Sequence, residues 1–234
     1  MRQFWKKMNV WYERLLLFVL TVVLLITSWC IYDSWYVYSH TIDNGILRYK
    51  PGAVTAAADE PQITDDMVAW LTVYETDIDY PIMQYSDNIK YLNTDPFGKY
   101  SLGGSIFLDN RNSSDFSDDY SLIYGHHMEY GKMFGALDNF LDESYIRSHR
   151  KGTLIIGRNG DKEYKFTIFA CLHTSAKEKA VFDPGKDDIL QYVRNNALIM
   201  TEEPKGRILG LSTCTGVDND TRTLVFAFFD ENEG

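Results

Sequence analysis

A thiol, a guanidinium and a pair of imidazoles are the side chains in this sequence whose types and spacing suit chemistry. Cys214 ends the apolar run that begins at Leu209, and Arg222, eight residues on, opens a second run that reaches Phe228. Residues 207–213 and 222–229 have the length and the β-branched or aromatic content of strands. Gly216 with Asp218, Asn219 and Asp220 supplies the turn between them. Two adjacent strands would bring the thiol and the guanidinium to one end of a sheet. A fixed positive charge beside a cysteine favours the thiolate, which is the reactive form. Guanidinium N–H donors can also hold a carbonyl oxygen as it becomes an oxyanion. The base that such chemistry needs is to be sought in Tyr124-Gly125-His126-His127-Met128. Each residue alone has a plainer use, since a cysteine in an apolar strand is usually a small buried hydrophobe and an arginine at a strand start is usually solvated. Only the combination argues for catalysis.

The elements that must position these groups are short. Val68–Val73 and Asp77–Gln84 read as strands, the second with Pro81 marking an edge or a bulge. Asp87–Leu92 reads as a helical turn, and Gly103–Asp109 as a turn and a strand. A polar loop, Asn110–Asp119, leads into the strand Tyr120–His126. Met133–Leu141 has helical period. The runs 153–157 and 163–169 flank Arg158-Asn159-Gly160-Asp161, a hairpin signal. A helix is expected over Asp187–Arg194, with its acids at the N-terminus where the helix dipole favours them. Many short strands with closely spaced turns predict a closed β-barrel rather than a parallel sheet.

Composition narrows the function classes. The chain of 234 residues carries 23 basic and 33 acidic side chains, a net charge of −10. The basic Arg2, Lys6, Lys7 and Arg14 crowd the first 14 residues, so residues 33–234 carry about −13, which argues against nucleic acid as a partner. The three cysteines cannot form a closed disulfide set, and none has the spacing of a metal site. Cys171, in Phe169-Ala170-Cys171-Leu172, reads as a core residue. Leu15–Tyr32 is uncharged and, as a helix, about 27 Å long, close to the hydrocarbon thickness of a bilayer. Phe4, Trp5, Trp11 and Tyr12 precede it, and Trp29, Tyr32, Trp35 and Tyr36 close it, as in an interfacial belt. The bulky Ser28-Trp29-Cys30 favours a retained anchor over a cleaved signal peptide. Basic residues before the span predict a cytoplasmic N-terminus and an external globular part. The expected organisation is a tail (1–14), a transmembrane helix (15–32), a helical segment and linker (33–62) and a catalytic barrel (63–234). Within the third part, one or two short helices are expected over 33–49, and Thr55–Pro61 reads as a link.

Leu211-Ser212-Thr213-Cys214, with Arg222 after the turn and Gly125-His126 upstream, resembles the sortases, cysteine transpeptidases that attach surface proteins to the Gram-positive cell wall. The ordered set Trp70, Ile78–Pro81, Asp87–Leu92, Ile106–Asp109, Arg111-Asn112, Tyr124–Met128 and Met133-Phe134 resembles class B sortases in particular. Gly210 departs from that pattern, where the family usually has Thr. The resemblance implies a barrel of about eight strands with an N-terminal helical appendage and a long helix, about 186–199, before the cysteine strand. It implies Cys214 as nucleophile, His126 as general acid/base and Arg222 as the stabiliser of the oxyanion or substrate. Asn88 and Leu92 would line the substrate groove, as would part of the loop before the 186–199 helix. Ser212 and Thr213 stand beside the nucleophile, where their hydroxyls could donate to the oxyanion or to the peptide backbone. Successive strand residues point to opposite faces, so only one of His126 and His127 can face Cys214.

The implied substrates are surface proteins with an Asn-Pro-x-Thr-x sorting signal, and the implied acceptor is a peptidoglycan amine; neither cofactor nor metal is implied. Alternative readings are a class B sortase that polymerises pilins onto a Lys amine, a cysteine peptidase that hydrolyses, and a non-catalytic binding module. With ordinary pKa values near 8.5 and 6.5, about 3% of thiols are ionised and about a quarter of imidazoles are charged at pH 7. A slow enzyme with a bell-shaped pH profile is therefore expected.

Overall fold

The computed structural model describes residues 2–41, 44–53, 60–128, 131–185, 188–214 and 220–229, with the backbone alone for residues 2–4, 6, 7, 37–41, 44 and 214. The turn expected from Gly216, Asp218 and Asn219 and the link at Thr55–Asp59 lie outside these residues. The chain forms two compact units, Met1–Asp43 and Asn44–Gly234.

The first unit is one helix, α1 (Arg2–Thr41), whose stretch Met8–Tyr36 is long and apolar enough to cross a membrane. Trp11, Leu17, Phe18, Leu24, Leu25, Trp29 and Ile31 on it are all exposed. Short separate helices are expected after residue 33; instead α1 continues to Thr41 and a 3-10 helix covers Asn44–Tyr49. No Gly or Pro interrupts the chain between Tyr32 and Thr41, so nothing in the local sequence breaks the helix before Gly45.

The second unit is built on β1 (Met67–Val73), β2 (Asp79–Met83), β3 (Ile106–Leu108), β4 (Tyr120–His126), β5 (Lys151–Ile156), β6 (Lys162–Ser175), β7 (Ile199–Met200), β8 (Ile208–Cys214) and β9 (Thr221–Phe229). They hydrogen-bond in the order β5-β1-β2-β3-β4-β8-β9-β6-β7, and β5 also pairs with β6. That last pairing closes eight strands into a barrel and leaves the two-residue β7 attached outside the ring to β6. Closure removes the open edges that would otherwise template aggregation. The pairings β2–β3 and β4–β8 are parallel. Pro81 lies in β2 just before the pairing with β3 begins at Ile82, so its missing N–H costs no bond on that side. A bulge sits nearby in β1, between Met67 and Ala69.

Both faces of the barrel wall are covered over much of its length, which is why β9 reads as a nearly unbroken apolar run. One cluster joins Tyr120, Leu122, Phe169, Leu172, Leu224, Phe226 and Phe228 to Ile189 and Val193 of α3 (Ile189–Asn196). Burying those two α3 side chains contributes about 1.5–3 kcal/mol each. A helix over 186–199 is expected; α3 is shorter because Leu198 donates to the Cys171 carbonyl and Ile199–Met200 pair with β6. The other cluster joins Trp70, Met83, Tyr91 and Phe107 to Ile46 and Tyr49 of the 3-10 helix. Lys50 fastens that segment to the barrel, reaching Thr72 Oγ1 at 2.8 Å and Asp79 Oδ1 at 2.9 Å.

Two elements precede β5. The expected helical stretch 133–141 is a 3-10 helix at Gly135–Leu141, with Ala136, Leu137 and Phe140 buried. It runs into α2 (Glu143–Ser148), which the apolar periodicity did not signal. Its cue is local: the Asp142 side chain accepts from the N–H groups of Ser144 and Tyr145 and caps the helix.

Candidate active site

Three strand ends meet at one rim of the barrel. β4 and β8 run parallel in a register that ends with His126 directly beside Cys214. β8 and β9 are antiparallel, with Ser212 opposite Leu224. Continued by two residues, the same register sets Arg222 opposite Cys214. The backbone ladder gives way before that point: the Thr223 N–H bonds to the Thr213 hydroxyl at 3.0 Å instead of to a carbonyl. On its other side β9 pairs with β6, where Arg222 lies opposite Thr174. The residues read from the sequence as nucleophile, acid/base and oxyanion stabiliser thus occupy neighbouring positions on β8, β4 and β9.

His126 is half-buried, and its Nε2 lies 2.7 Å from the Leu92 carbonyl oxygen. A carbonyl only accepts, so Nε2 carries the proton and, in the neutral ring, Nδ1 holds the lone pair. The Leu92 carbonyl is itself held from behind. Gly104 has φ +56°, and a Cβ there would come within 2.4 Å of the Tyr91 carbonyl oxygen and 2.6 Å of the Leu92 one. Only a glycine allows that backbone approach. The Ser105 N–H bonds the Tyr91 carbonyl at 2.9 Å and completes the brace.

His127 is directed elsewhere. Its Nε2 lies 2.6 Å from Asp138 Oδ2 on the 3-10 helix, while its backbone bridges to Met133. Asn88 is half-buried and spans two groups: its Nδ2 donates to Asp109 Oδ2 at 3.0 Å, and its Oδ1 accepts the Asn110 N–H at 2.8 Å. The Leu92 side chain is half-buried against the cluster around Trp70. Ser212 and Thr213 are fully buried, and their hydroxyls bond within β8 and across to the Thr223 backbone.

The fully buried Asp109 ties this neighbourhood together. It accepts from Asn88, from the Tyr124 hydroxyl at 3.0 Å, and from Arg111 Nε and Nη2 at 2.9 and 2.8 Å. Burial pushes its carboxyl up, but the bonds from the Arg111 side chain and N–H and from Tyr124 outweigh this and hold it below the usual carboxylate range. Arg111 also donates to the Phe182 carbonyl at 2.6 Å, and the Phe182 ring stacks on Tyr124. The loop between β6 and α3 is thereby anchored above β4. Sequence reasoning placed Asp109 and Arg111 only as markers in a motif; an acid that ends an apolar run, two residues before an arginine, was the available signal.

Cys171 is a free, buried thiol that donates to the Phe140 carbonyl at 2.9 Å, and burial pushes its pKa up to about 11, away from reactivity. His149 stacks on Tyr145, and His173 is exposed on β6. The space beside Gly210 is taken by Tyr120: a Cβ there would lie 2.7 Å from its hydroxyl oxygen and 3.2 Å from Leu122 Cδ1. The departure from Thr at this position is thus matched by an aromatic side chain on the neighbouring strand. A cleft of about 820 Å³, lined by Glu75, Arg150, Glu202 and Phe228 among others, lies at the opposite end of β9 from Arg222.

Comparison with known proteins agrees with this geometry. The sortase domain family model matches residues 71–229. The chain is 32% identical over 212 residues to the sortase B of Listeria monocytogenes, covering 82% of this chain and 85% of the relative. It is 29% identical over 168 residues to that of Staphylococcus aureus, covering 68% of each chain. Among solved structures, it is similar to a Streptococcus pyogenes class B sortase involved in pilus biogenesis, with TM-score 0.66 and 37% identity over 71% of this chain and 93% of that one. A Staphylococcus aureus sortase B–substrate complex matches with TM-score 0.65 and 26% identity over 71% of this chain and 81% of that one. With the family model spanning most of the barrel, relatives of this identity and a closed barrel of the same kind, the chain belongs to the sortase family and, within it, to the class B sortases.

Proposed function

We propose that the protein is a membrane-anchored transpeptidase that cleaves an Asn-Pro-x-Thr-x sorting signal after Thr and transfers the protein to a cell-wall amine. The observation that carries this reading is the parallel register of β4 and β8, with His126 beside Cys214 and its Nε2 engaged by Leu92. The Cys214 thiolate attacks the Thr carbonyl carbon, and a C–S bond forms as the carbonyl π electrons move to oxygen. Arg222 stabilises that oxyanion. On collapse the C–N bond breaks, and the departing nitrogen takes a proton from Nδ1 of the His126 imidazolium. An incoming amine then attacks the thioester, His126 Nδ1 receives its proton, and the thiolate leaves as the new amide forms. Asn88 and Leu92, on the segment that holds His126, contact the sorting signal, while Ser212 and Thr213 fix the β8–β9 pair under Cys214. The Met8–Tyr36 stretch of α1 crosses the membrane, with Arg2, Lys6, Lys7 and Arg14 on the cytoplasmic side and the barrel outside.

The test uses the full chain in detergent with a fluorogenic Asn-Pro-Gln-Thr peptide, with and without an amine acceptor. Cleavage is lost in Cys214→Ala and His126→Ala and slowed but retained in His127→Ala, and the amine converts the acid product to an amide. A dead His127→Ala beside an active His126→Ala overturns the acid/base assignment, and a pH–rate profile flat from about 5 to 10 overturns the Cys–His pair. The 37% identity to a pilus-related class B sortase favours a second job at the same site, polymerisation with a Lys side chain as acceptor. Competition between a Lys-bearing pilin-type peptide and a peptidoglycan-type amine separates the two.

A further inference from the structure

The three residues assigned to the chemistry have chain neighbours that form a network of their own, through a carboxylate the catalytic assignment leaves out. Asp138, on the 3-10 helix at Gly135–Leu141, places Oδ2 at 2.6 Å from His127 Nε2. Its Oδ1 accepts the Thr223 hydroxyl at 2.7 Å. Thr223 in turn bonds through its N–H to the Thr213 hydroxyl at 3.0 Å. His127, Thr213 and Thr223 are the immediate neighbours of His126, Cys214 and Arg222. β8 lies between β4 and β9 in the sheet, so the carboxylate spans across the cysteine strand and joins the strands on either side of it.

The join falls where the backbone ladder between β8 and β9 has ended. β4 ends at His126, and among the described residues the backbone ladder between β8 and β9 runs only as far as Ser212 and Leu224. Beyond it, β4 and β8 stay paired through His126 and Cys214 and β9 stays paired with β6, while β9 is joined to β8 and to the 3-10 helix by side-chain bonds: the Thr213 hydroxyl to the Thr223 backbone, and Asp138 to Thr223 and His127. The Asp138 side chain is 45% exposed, but the helix that carries it is anchored. Leu137 and Phe140 beside Asp138 are fully buried, Thr223 is 6% exposed, and Cys171 donates to the Phe140 carbonyl from β6. A carboxylate accepts strongly from both a hydroxyl and an imidazole N–H, so one group can serve both arms.

We propose that Asp138 is a positioning residue for the transfer reaction, setting through Thr223 and His127 the spacing of Arg222 and His126 about Cys214. The proposal rests on the sortase reading of that site. It acts on rate rather than on binding, because the groove residues Asn88 and Leu92 lie outside this network.

The experiment compares wild type, Asp138→Ala, Asp138→Asn, Thr223→Val and Asp138→Ala/Thr223→Val as full chains in detergent. It measures single-turnover acylation with the sorting-signal peptide, KM, thermal unfolding, and the alkylation rate of Cys214 by iodoacetamide read by peptide mass spectrometry. Asp138→Ala is expected to slow acylation about 10- to 100-fold, the scale of a catalytic group displaced by about 1 Å, with KM unchanged. Asp138→Asn, whose amide oxygen still accepts from Thr223, recovers most of the rate. Thr223→Val slows acylation as well, and the double variant is no slower than the slower single. Wild-type acylation in Asp138→Ala overturns the proposal. So does a loss that Asp138→Asn shares in full and that follows the melting temperature, and so do independent, multiplicative losses in the double variant. Cys214 alkylation needs no sorting signal. If wild type is inert to the peptide while Asp138→Ala alters the alkylation rate, the sorting-signal reading fails and the positioning role stands.

Discussion

At the scale of single residues, the site depends on which atoms are already committed. The Leu92 carbonyl fixes the proton on His126 Nε2, so the ring offers Nδ1 for exchange. Asp109 is the other committed group. Its pKa is depressed in the fold, so its contribution to stability is present above the unfolded value, near 3.9, and is lost as pH falls through the folded value. Asp109→Asn keeps the shape but removes the charge that Arg111 pairs with. The variant is expected to lose roughly 2–3 kcal/mol near neutral pH. The gap from wild type should begin to narrow below about pH 4, where the unfolded carboxyl takes up its proton, and should close as pH falls through the lower folded value. Thermal melts from pH 3 to 7 check this; a gap that stays constant with pH would mean that packing, not charge, holds the Asp109 cluster.

At the scale of elements, His126, the proposed acid/base, is aimed by a segment to which it is not adjacent in sequence. The turn that ends at Leu92 is a single 3-10 turn over Lys90–Leu92, held open for His126 by the backbone of Gly104. Gly104→Ala places a methyl against two carbonyl oxygens at a φ that side chains rarely adopt. The chain there must shift, at a cost of about 1–3 kcal/mol for the strained backbone. Because the displaced group is the Leu92 carbonyl, acylation is expected to fall by more than the loss of folded protein explains, by up to about 100-fold. Rates normalised to the folded fraction at each temperature test the point. Normalised rates equal to wild type would remove Leu92 from the aiming of His126.

At the scale of the whole molecule, the proposed function gives α1 the role of anchor and the barrel that of catalyst. The exposed apolar side chains along Met8–Tyr36 are expected to keep the full chain in the membrane pellet after alkaline carbonate washing, and a chain lacking residues 1–36 to leave it. External protease should reach the barrel in intact cells. Protection of the barrel in intact cells would reverse the orientation read from the basic residues at 2–14.

Much was legible in the sequence because it is written locally. Apolar runs bounded by turn residues marked β4, β8, β9 and the turn of the β5–β6 hairpin to within a few residues, since strand burial and turn chemistry are properties of short segments. β6 itself runs on to Ser175, well past the expected Phe169. The uncharged run Leu15–Tyr32 likewise specified a helix long enough to cross a bilayer. The residue types at Cys214, Arg222 and the His126-His127 pair defined the chemistry on offer. Tertiary structure decided what depends on partners distant along the chain. The register of β4 against β8 sets His126, not His127, beside Cys214, and a shift of one residue would exchange them. Strand pairing with β6 shortened α3, and Tyr120 took the space beside Gly210. The carboxylates of Asp109 and Asp138 became hubs only when separate strands and loops converged on them. Period and composition describe what a segment buries, while hydrogen-bond partners across a closed barrel are fixed by the closure itself.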